Sequence, residues 1–416
     1  MQHPIIEDVV SEHAQDAAFL WQLRDAAVSR PHYRLHDLTK LDDRVEAHLD
    51  GLRVAGDEGW EMARAAMLKS GGPGETFAAA VLALESGREE RSAEVLQVGS
   101  KTPKAARGLI SALGWLAYEE AAKHIKSWIA AESSTSRRIG LAASSIHRRN
   151  PGPDALNPAL ASGDPLLKAR ALRAFGELGL VDYHINARAN IKAKDPACRF
   201  WAAWSNALLN GHKDAVAYLQ NVAESGGPFA ERAAQMAMRR LAPNDAKLWL
   251  KRLVKELGQK RIALIAAGAF ADPEVIPFLI DQMQDPKLAR VAGESFSMIT
   301  GVRLDYDKLE GQKPEGFDSG PTDNPEDENV EMDPDENLPW PDAALLQKWW
   351  TAHQGNFARG TRYLLGQPIT PESLREALKT GYQRQRAAAA LELAILKPGR
   401  PLFEVRAPGW RQQGML

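Results

Sequence analysis

The stretch PLLKARALRAFGELG, beginning at Pro165, decides how this chain folds. It opens on Asp164-Pro165, sets Lys168 three places on and a small residue, Ala171, after it, and closes on a glycine turn. An aspartate there caps a helix through its side chain, and a proline suits the first helical turn, where its missing N–H is not needed. The same pattern recurs on both sides. Upstream stand PGETFAAAVLAL from Pro73, PKAARGLISALG from Pro103 and STSRRIGLAAS from Ser134. Downstream stand PACRFWAAWSNALL from Pro196, PFAERAAQMAMRRL from Pro228, GQKRIALIAAGAF from Gly258 and PKLARVAGESFSMITG from Pro286. The starts step by 30, 31, 31, 31, 32, 30 and 28 residues. A fixed period of this size marks a repeat array, whose units are stable only when stacked on their neighbours.

A basic residue often follows the window's start: Arg107, Arg137, Lys168, Arg199, Arg261 and Arg290. These bases either form a stripe or pair with acids of the adjacent unit to hold the stack, and the second reading is favoured. Small residues come next, among them Ala79, Gly140, Ala171, Ala202, Ala234 and Ala292, and let neighbouring helices approach closely. After a turn a second amphipathic stretch follows, as in 118–130, 181–191, 214–224 and 245–257. Helix, turn and helix fill the period and leave no room for strands.

Four segments result: an N-terminal helical cap (1–69), the array (70–304), an acidic proline-rich strap (305–342), and a C-terminal helical cap with an extended tail (343–416). The cap reads as helices from about Ile5 to Ala27, Leu38 to Gly51 and Trp60 to Leu68. The strap carries ten acids against one base, Lys313, between Gly311 and Asn337. Its composition cannot make a packed element alone. The whole chain has a formal net charge of −2, so without residues 311–337 it carries +7. LLQKWW (345–350), PESLREALKTG (371–381) and YQRQRAAAALELAIL (382–396) return to helix, and RYLLGQPIT reads as a turn.

A hydrophobic fraction of 44% and a charged fraction of 25% over 416 residues are those of a soluble globular protein. The first residues lack a basic stretch followed by an apolar run, so no signal peptide is expected. No apolar run is long enough to span a membrane. One cysteine, Cys198, excludes an intramolecular disulfide, and a cytoplasmic location is expected.

The windows resemble HEAT-like repeats of the phycobilin-lyase type, GDPLLKARALRAFGELG (163–179) most closely. EHAQDAAFLWQLRDAAV (12–28), LDDRVEAHLDGLRVAG (41–56), AGESFSMITG (292–301), the strap at 320–342 and the paired tryptophans Trp349 and Trp350 look like one uncharacterised proteobacterial family, often encoded near type VI secretion genes for the VgrG spike. The resemblance implies an all-α fold, a right-handed α-α superhelix with an irregular acidic insertion. It also implies an accessory role in secretion as adaptor, chaperone or regulator, with a spike or effector protein as partner. It assigns no catalytic residue.

In such arrays second helices usually line the concave face. Here they offer Lys123, Lys126, Trp128, Arg188, Lys192, Tyr218, Lys247, Trp249, Lys251 and Arg252, a mixture of bases and aromatics suited to a protein or acidic partner. The strap acids Asp323, Glu326, Asp327, Glu328, Glu331, Asp333, Asp335 and Glu336 either complement that groove or present themselves to a basic partner. PWPD (339–342) with Trp349 and Trp350 is expected to dock the strap's end. His13, His32, His36 and His48 lie near Asp42, Asp43 and Glu46, but without HExxH or a cysteine partner no metal is expected. Cys198, beside Phe200 and Trp201, reads as a buried, inert thiol. No cofactor and no enzymatic activity are expected. The +7 body permits a nucleic-acid binder as the alternative, though phosphate is disfavoured by the strap. A HEAT-repeat lyase ranks below it, since no series of His, Cys or acids recurs at fixed repeat positions.

Overall fold

A computed structural model describes residues 6–317, 319–320 and 332–416. It is all-α apart from one short hairpin and one isolated bridge. The chain divides into two compact units, Met1–Ser205 with Lys397–Leu416, and Asn206–Leu396. The division falls inside one helix of the array.

In the first unit α1 (Glu7–Ala27), α2 (Leu35–Val54) and α3 (Asp57–Ser70) precede the repeats. Then come α4 (Pro73–Glu85), α5 (Glu89–Gly99), α6 (Pro103–Trp115), α7 (Tyr118–Ile129), α8 (Ser134–Ile146), α9 (Pro153–Leu160), α10 (Pro165–Glu177), α11 (His184–Ala189) and α12 (Pro196–Leu209). The helices that open the windows pack side by side, α4 on α6, α6 on α8 and α8 on α10, and α1 of the cap packs on α4. Window starts cap as their sequence dictates. Thr102 Oγ1 accepts from Ala105 N–H at 3.1 Å, Asp164 Oδ1 from Leu166 N–H at 2.9 Å and Asp195 Oδ1 from Cys198 N–H at 2.8 Å.

The core of this unit runs through Trp21, Phe77, Leu109, Leu113, Trp115 and Ile139. Trp21 stacks on Phe77 with centroids 5.1 Å apart, and Trp115 meets Phe77 edge-on at 5.3 Å. The tail after Lys397 is extended, as expected, until the short helix α22 (Gly409–Gln413). Its backbone is held by arginines: Arg24 donates to the Arg406 and Ala407 carbonyls at 2.7 Å each, and Arg411 to those of Gly114 and Leu116 at 2.8 and 2.7 Å.

The second unit holds α13 (Lys213–Ser225), α14 (Ala230–Arg240), α15 (Pro243–Lys255), α16 (Lys260–Phe270), α17 (Ile276–Gln282) and α18 (Ala289–Thr300). After the strap come α19 (Ala343–His353), β1 (Tyr363–Leu364), β2 (Gln367–Pro368), α20 (Pro371–Thr380) and α21 (Gln383–Leu396). Again α14 packs on α16 and α16 on α18. Two helices start later than their prolines suggested, α14 at Ala230 and α18 at Ala289. The turn at 362–370 is a β-hairpin whose Leu365 and Gly366 both have positive φ, the requirement of its tight turn. Glu392 of α21 accepts from Arg239 Nε at 2.8 Å and from Arg362 Nη1 at 3.0 Å, tying the hairpin to the array.

Candidate functional site

In the first unit, first helices and tail enclose a cavity of about 310 Å³. Seven arginines line it: Arg24, Arg107, Arg138, Arg148, Arg170, Arg173 and Arg406. Glu177 and Glu404 are the carboxylates in its wall, with Trp21, Trp115, Trp201 and Leu166 supplying apolar surface. Asp25 and Asp42 pair with lining arginines, yet the arginines still outnumber these carboxylates seven to four.

Several of these arginines are fully engaged by the fold. Arg24 Nε donates to Asp42 Oδ1 at 2.7 Å while its other nitrogens hold the tail, and Asp42 Oδ2 accepts from Gly409 N–H. Arg148 pairs with Glu404 at 3.0 Å, and Arg107 with Asp25. Burial alone would raise the Glu177 carboxyl, but Arg170, Arg173 and Arg148 outweigh it and hold it down at about 2. Glu177 is therefore ionised throughout the physiological range.

Other donors are left over. Arg138 makes no side-chain hydrogen bond to any described residue; burial lowers its pKa, and Asp164 opposes the shift. Arg170 Nε is buried without a partner among the described residues. Arg173 gives its Nε to Glu177 at 2.7 Å and lays its guanidinium over Trp201, 4.5 Å from the ring centroid. Donors in a partly buried wall act through a lower effective dielectric than water, where a charge pair 4 Å apart is worth about 4 kcal/mol rather than about 1. The arrangement is fit to hold an anion and offers no nucleophile–base pair.

The predicted groove residues fall in both units. In the first, Lys123, Lys126, Arg188 and Lys192 are exposed, while Trp128 is 6% exposed and packs in the core. In the second, Trp249 is 3% exposed and donates Nε1–H to Glu224 at 2.8 Å, and Tyr218 is half-buried. Lys247 pairs with Glu274 and Arg252 with Glu224 at 2.9 Å, while Lys251 is exposed. Trp249 and Arg252 share a second cavity of about 530 Å³ with Lys213, Leu248 and Arg240. Trp128 is thus a core residue, while Trp249, though buried, still borders that cavity.

Of the strap acids, Asp323, Glu326, Asp327, Glu328 and Glu331 lie outside the described residues. Asp333 and Asp335 do not reach toward solvent. Arg290 pairs with Asp333 at 2.7 Å, Arg261 grips Asp335 with two nitrogens at 2.7 and 2.8 Å, and Glu336 is exposed. Trp340 lies 4.6 Å from the Arg290 guanidinium, and Trp349 meets Phe296 edge-on at 5.7 Å. The repeat bases thus serve the fold in part: Arg261 also meets Glu231 of the preceding window at 3.4 Å.

Among the described residues no group of three or more His, Cys, Asp or Glu side chains converges as metal ligands. His13 and His48 face each other with Nδ1 atoms 3.1 Å apart, and Asp42 is committed to Arg24. Cys198 is buried, its thiol pushed up to about 12 by burial and by Asp195. Among the described residues no helix is long and apolar enough to cross a membrane.

Sequence reading missed Arg24, Arg138, Arg148, Arg170, Arg173 and Arg406. The signal was present in part, because Arg107, Arg138 and Arg170 follow one another at the repeat spacing, with Trp201 next in line. No known protein family, curated protein or solved structure matches the chain. The site is read from its geometry.

Proposed function

We propose that this chain is a non-enzymatic, cytoplasmic protein-binding scaffold built as a right-handed α-α superhelix of HEAT-like repeats. In this reading a partner inserts a segment into the arginine-lined cavity of the first unit, and exposed bases such as Lys123, Lys126, Arg188 and Lys192 add rim contacts. The observation that carries it is the surplus of arginine donors, Arg138 foremost, beside the buried tryptophans Trp21, Trp115 and Trp201. Arginine and tryptophan beside apolar surface are the residues that anchor protein interfaces. The sequence resemblance supplies the partner class, a spike or effector of type VI secretion, with the chain as adaptor, chaperone or regulator.

The arginines also raise the nucleic-acid reading. A single-stranded nucleic acid needs a basic groove that tracks its backbone. A cavity of about 310 Å³ with Glu177 and Glu404 in its wall is a stop, not a track. The test is affinity purification of the tagged full chain from secretion-active native cells, wild type beside Arg138→Glu. Recovery of a secretion protein by wild type, lost in the variant, is the expected result. Equal recovery by both, or nucleic acid alone, contradicts the reading.

A further inference from the structure

We propose that the first unit's cavity takes two carboxylates carried two residues apart on an extended acidic segment of the partner, the way the second unit holds its own Asp333 and Asp335. This rests on the partner-binding reading and adds the chemistry of the bound segment.

The chain itself displays the mode of recognition. Arg261 on α16 and Arg290 on α18 stand at the fourth and fifth positions of their windows, on helices packed side by side. Arg261 forks onto Asp335, and Arg290 pairs with Asp333 and donates to the Asp335 carbonyl at 3.0 Å. Asp335 is only 3% exposed there. A planar guanidinium matches a carboxylate with two parallel hydrogen bonds, which a lysine cannot do. An aromatic ring completes the site, Trp340 against Arg290.

The first unit repeats these parts with vacancies. Arg107 and Arg138 stand at the fifth positions of their windows, on α6 and α8, also packed side by side. Asp25 occupies Arg107, whereas the Arg138 side chain, which feels the charge of Asp164, makes no hydrogen bond to any described residue. On the adjacent α10 Arg173 spends only its Nε, on Glu177, leaving its Nη atoms without a partner among the described residues, and it lies on Trp201 as Arg290 lies on Trp340. Vacant donors on two neighbouring helices call for two anionic groups. Singly charged carboxylates suit a wall that already contains Glu177 and Glu404, which would repel a doubly charged phosphate more strongly. The volume, about 310 Å³, accommodates a short segment and not a folded element.

The test is fluorescence anisotropy of the full chain with a labelled synthetic peptide of sequence MDPDENL, that of Met332–Leu338. Saturable binding is expected. It should weaken about tenfold or more with Arg138→Ala, a loss on the scale of one hydrogen bond to a charged group, and similarly with Arg173→Lys, which keeps charge but loses the fork. Changing both peptide aspartates to asparagine should abolish binding, and free citrate should compete only weakly. Binding that ignores Arg138→Ala and follows Arg261→Ala instead overturns the proposal, because the peptide is then exchanging with the docked strap. Citrate or inorganic phosphate binding more tightly than the peptide also overturns it. A native partner captured through Arg138 while the peptide fails to bind refutes the carboxylate pair and leaves the scaffold reading intact. Peptide binding without any captured partner does the reverse.

Discussion

At the scale of single residues, His147 reports how tightly the tail closes on the first unit. Its Nε2–H donates to the Leu113 carbonyl at 2.8 Å, and its ring meets Tyr118 edge-on. Burial first, then Arg411 and Arg149, hold its pKa down at about 4, against the pull of the Leu113 carbonyl and Glu119. The unfolded chain therefore takes up the proton near pH 6.5 and the folded chain only near 4. Stability from this residue is complete above about pH 6.5 and is lost as pH falls from there toward 4, by about 2–3 kcal/mol. Urea titrations at pH 7.5 and 4.5 should show a drop smaller by about 2 kcal/mol in His147→Gln than in wild type. Equal drops would mean that the imidazole is not held neutral. Neither this histidine nor Arg138 was legible beforehand. Periodicity marks one conspicuous base per window, such as Arg137, but successive helical residues point about 100° apart. Whether Arg137 or Arg138 faces a cavity depends on helix rotation, which tertiary packing sets.

At the scale of elements, small residues fix how closely the first helices stack. A Cβ on Gly108 of α6 would sit 2.0 Å from the Pro73 carbonyl oxygen of α4, and one on Gly140 of α8 would sit 2.9 Å from the Ile129 nitrogen of the second helix α7. Both obstacles are backbone, so neither can yield cheaply. Gly108→Ala should destabilise the chain by about 2–3 kcal/mol. Gly163→Ala, where nothing lies within 4 Å and φ is ordinary, should be near neutral. Paired chemical denaturation of the two variants checks this, and a silent Gly108→Ala would contradict the close stacking of α4 and α6. The all-α character and the element order were legible because caps and period agree in window after window. Trp128 packs in the core and Trp249 borders a cavity with Arg252, a difference the sequence does not show, because an amphipathic helix has the same spacing whether an aromatic anchors a partner or fills the core. The docked strap end was foreseeable from PWPD and the neighbouring tryptophans, but the use of Asp333 and Asp335 as ligands of Arg261 and Arg290 was not. Charge alone does not say which acids are buried.

At the scale of the whole molecule, the chain leaves the first unit in the middle of the array and returns to it for its last twenty residues. That return builds the site: Glu404, Arg406, Ala407 and Pro408 form part of the cavity wall, and the buried Arg24–Asp42 pair fastens them. No local sequence pattern could have placed a tail beside α1 and α10, because the contact spans nearly the full length of the chain. On the proposed reading, partners are recognised at this cavity. It is tested most directly by placing a photo-crosslinking residue at Leu166, which lines the cavity and is 57% exposed, and at Lys126, exposed on α7, in otherwise intact protein in native cells. The expected result is a partner crosslink from position 166 that maps to an acidic segment and disappears with Arg138→Glu. A crosslink from position 126 alone, or one from 166 that survives the charge reversal, would contradict it.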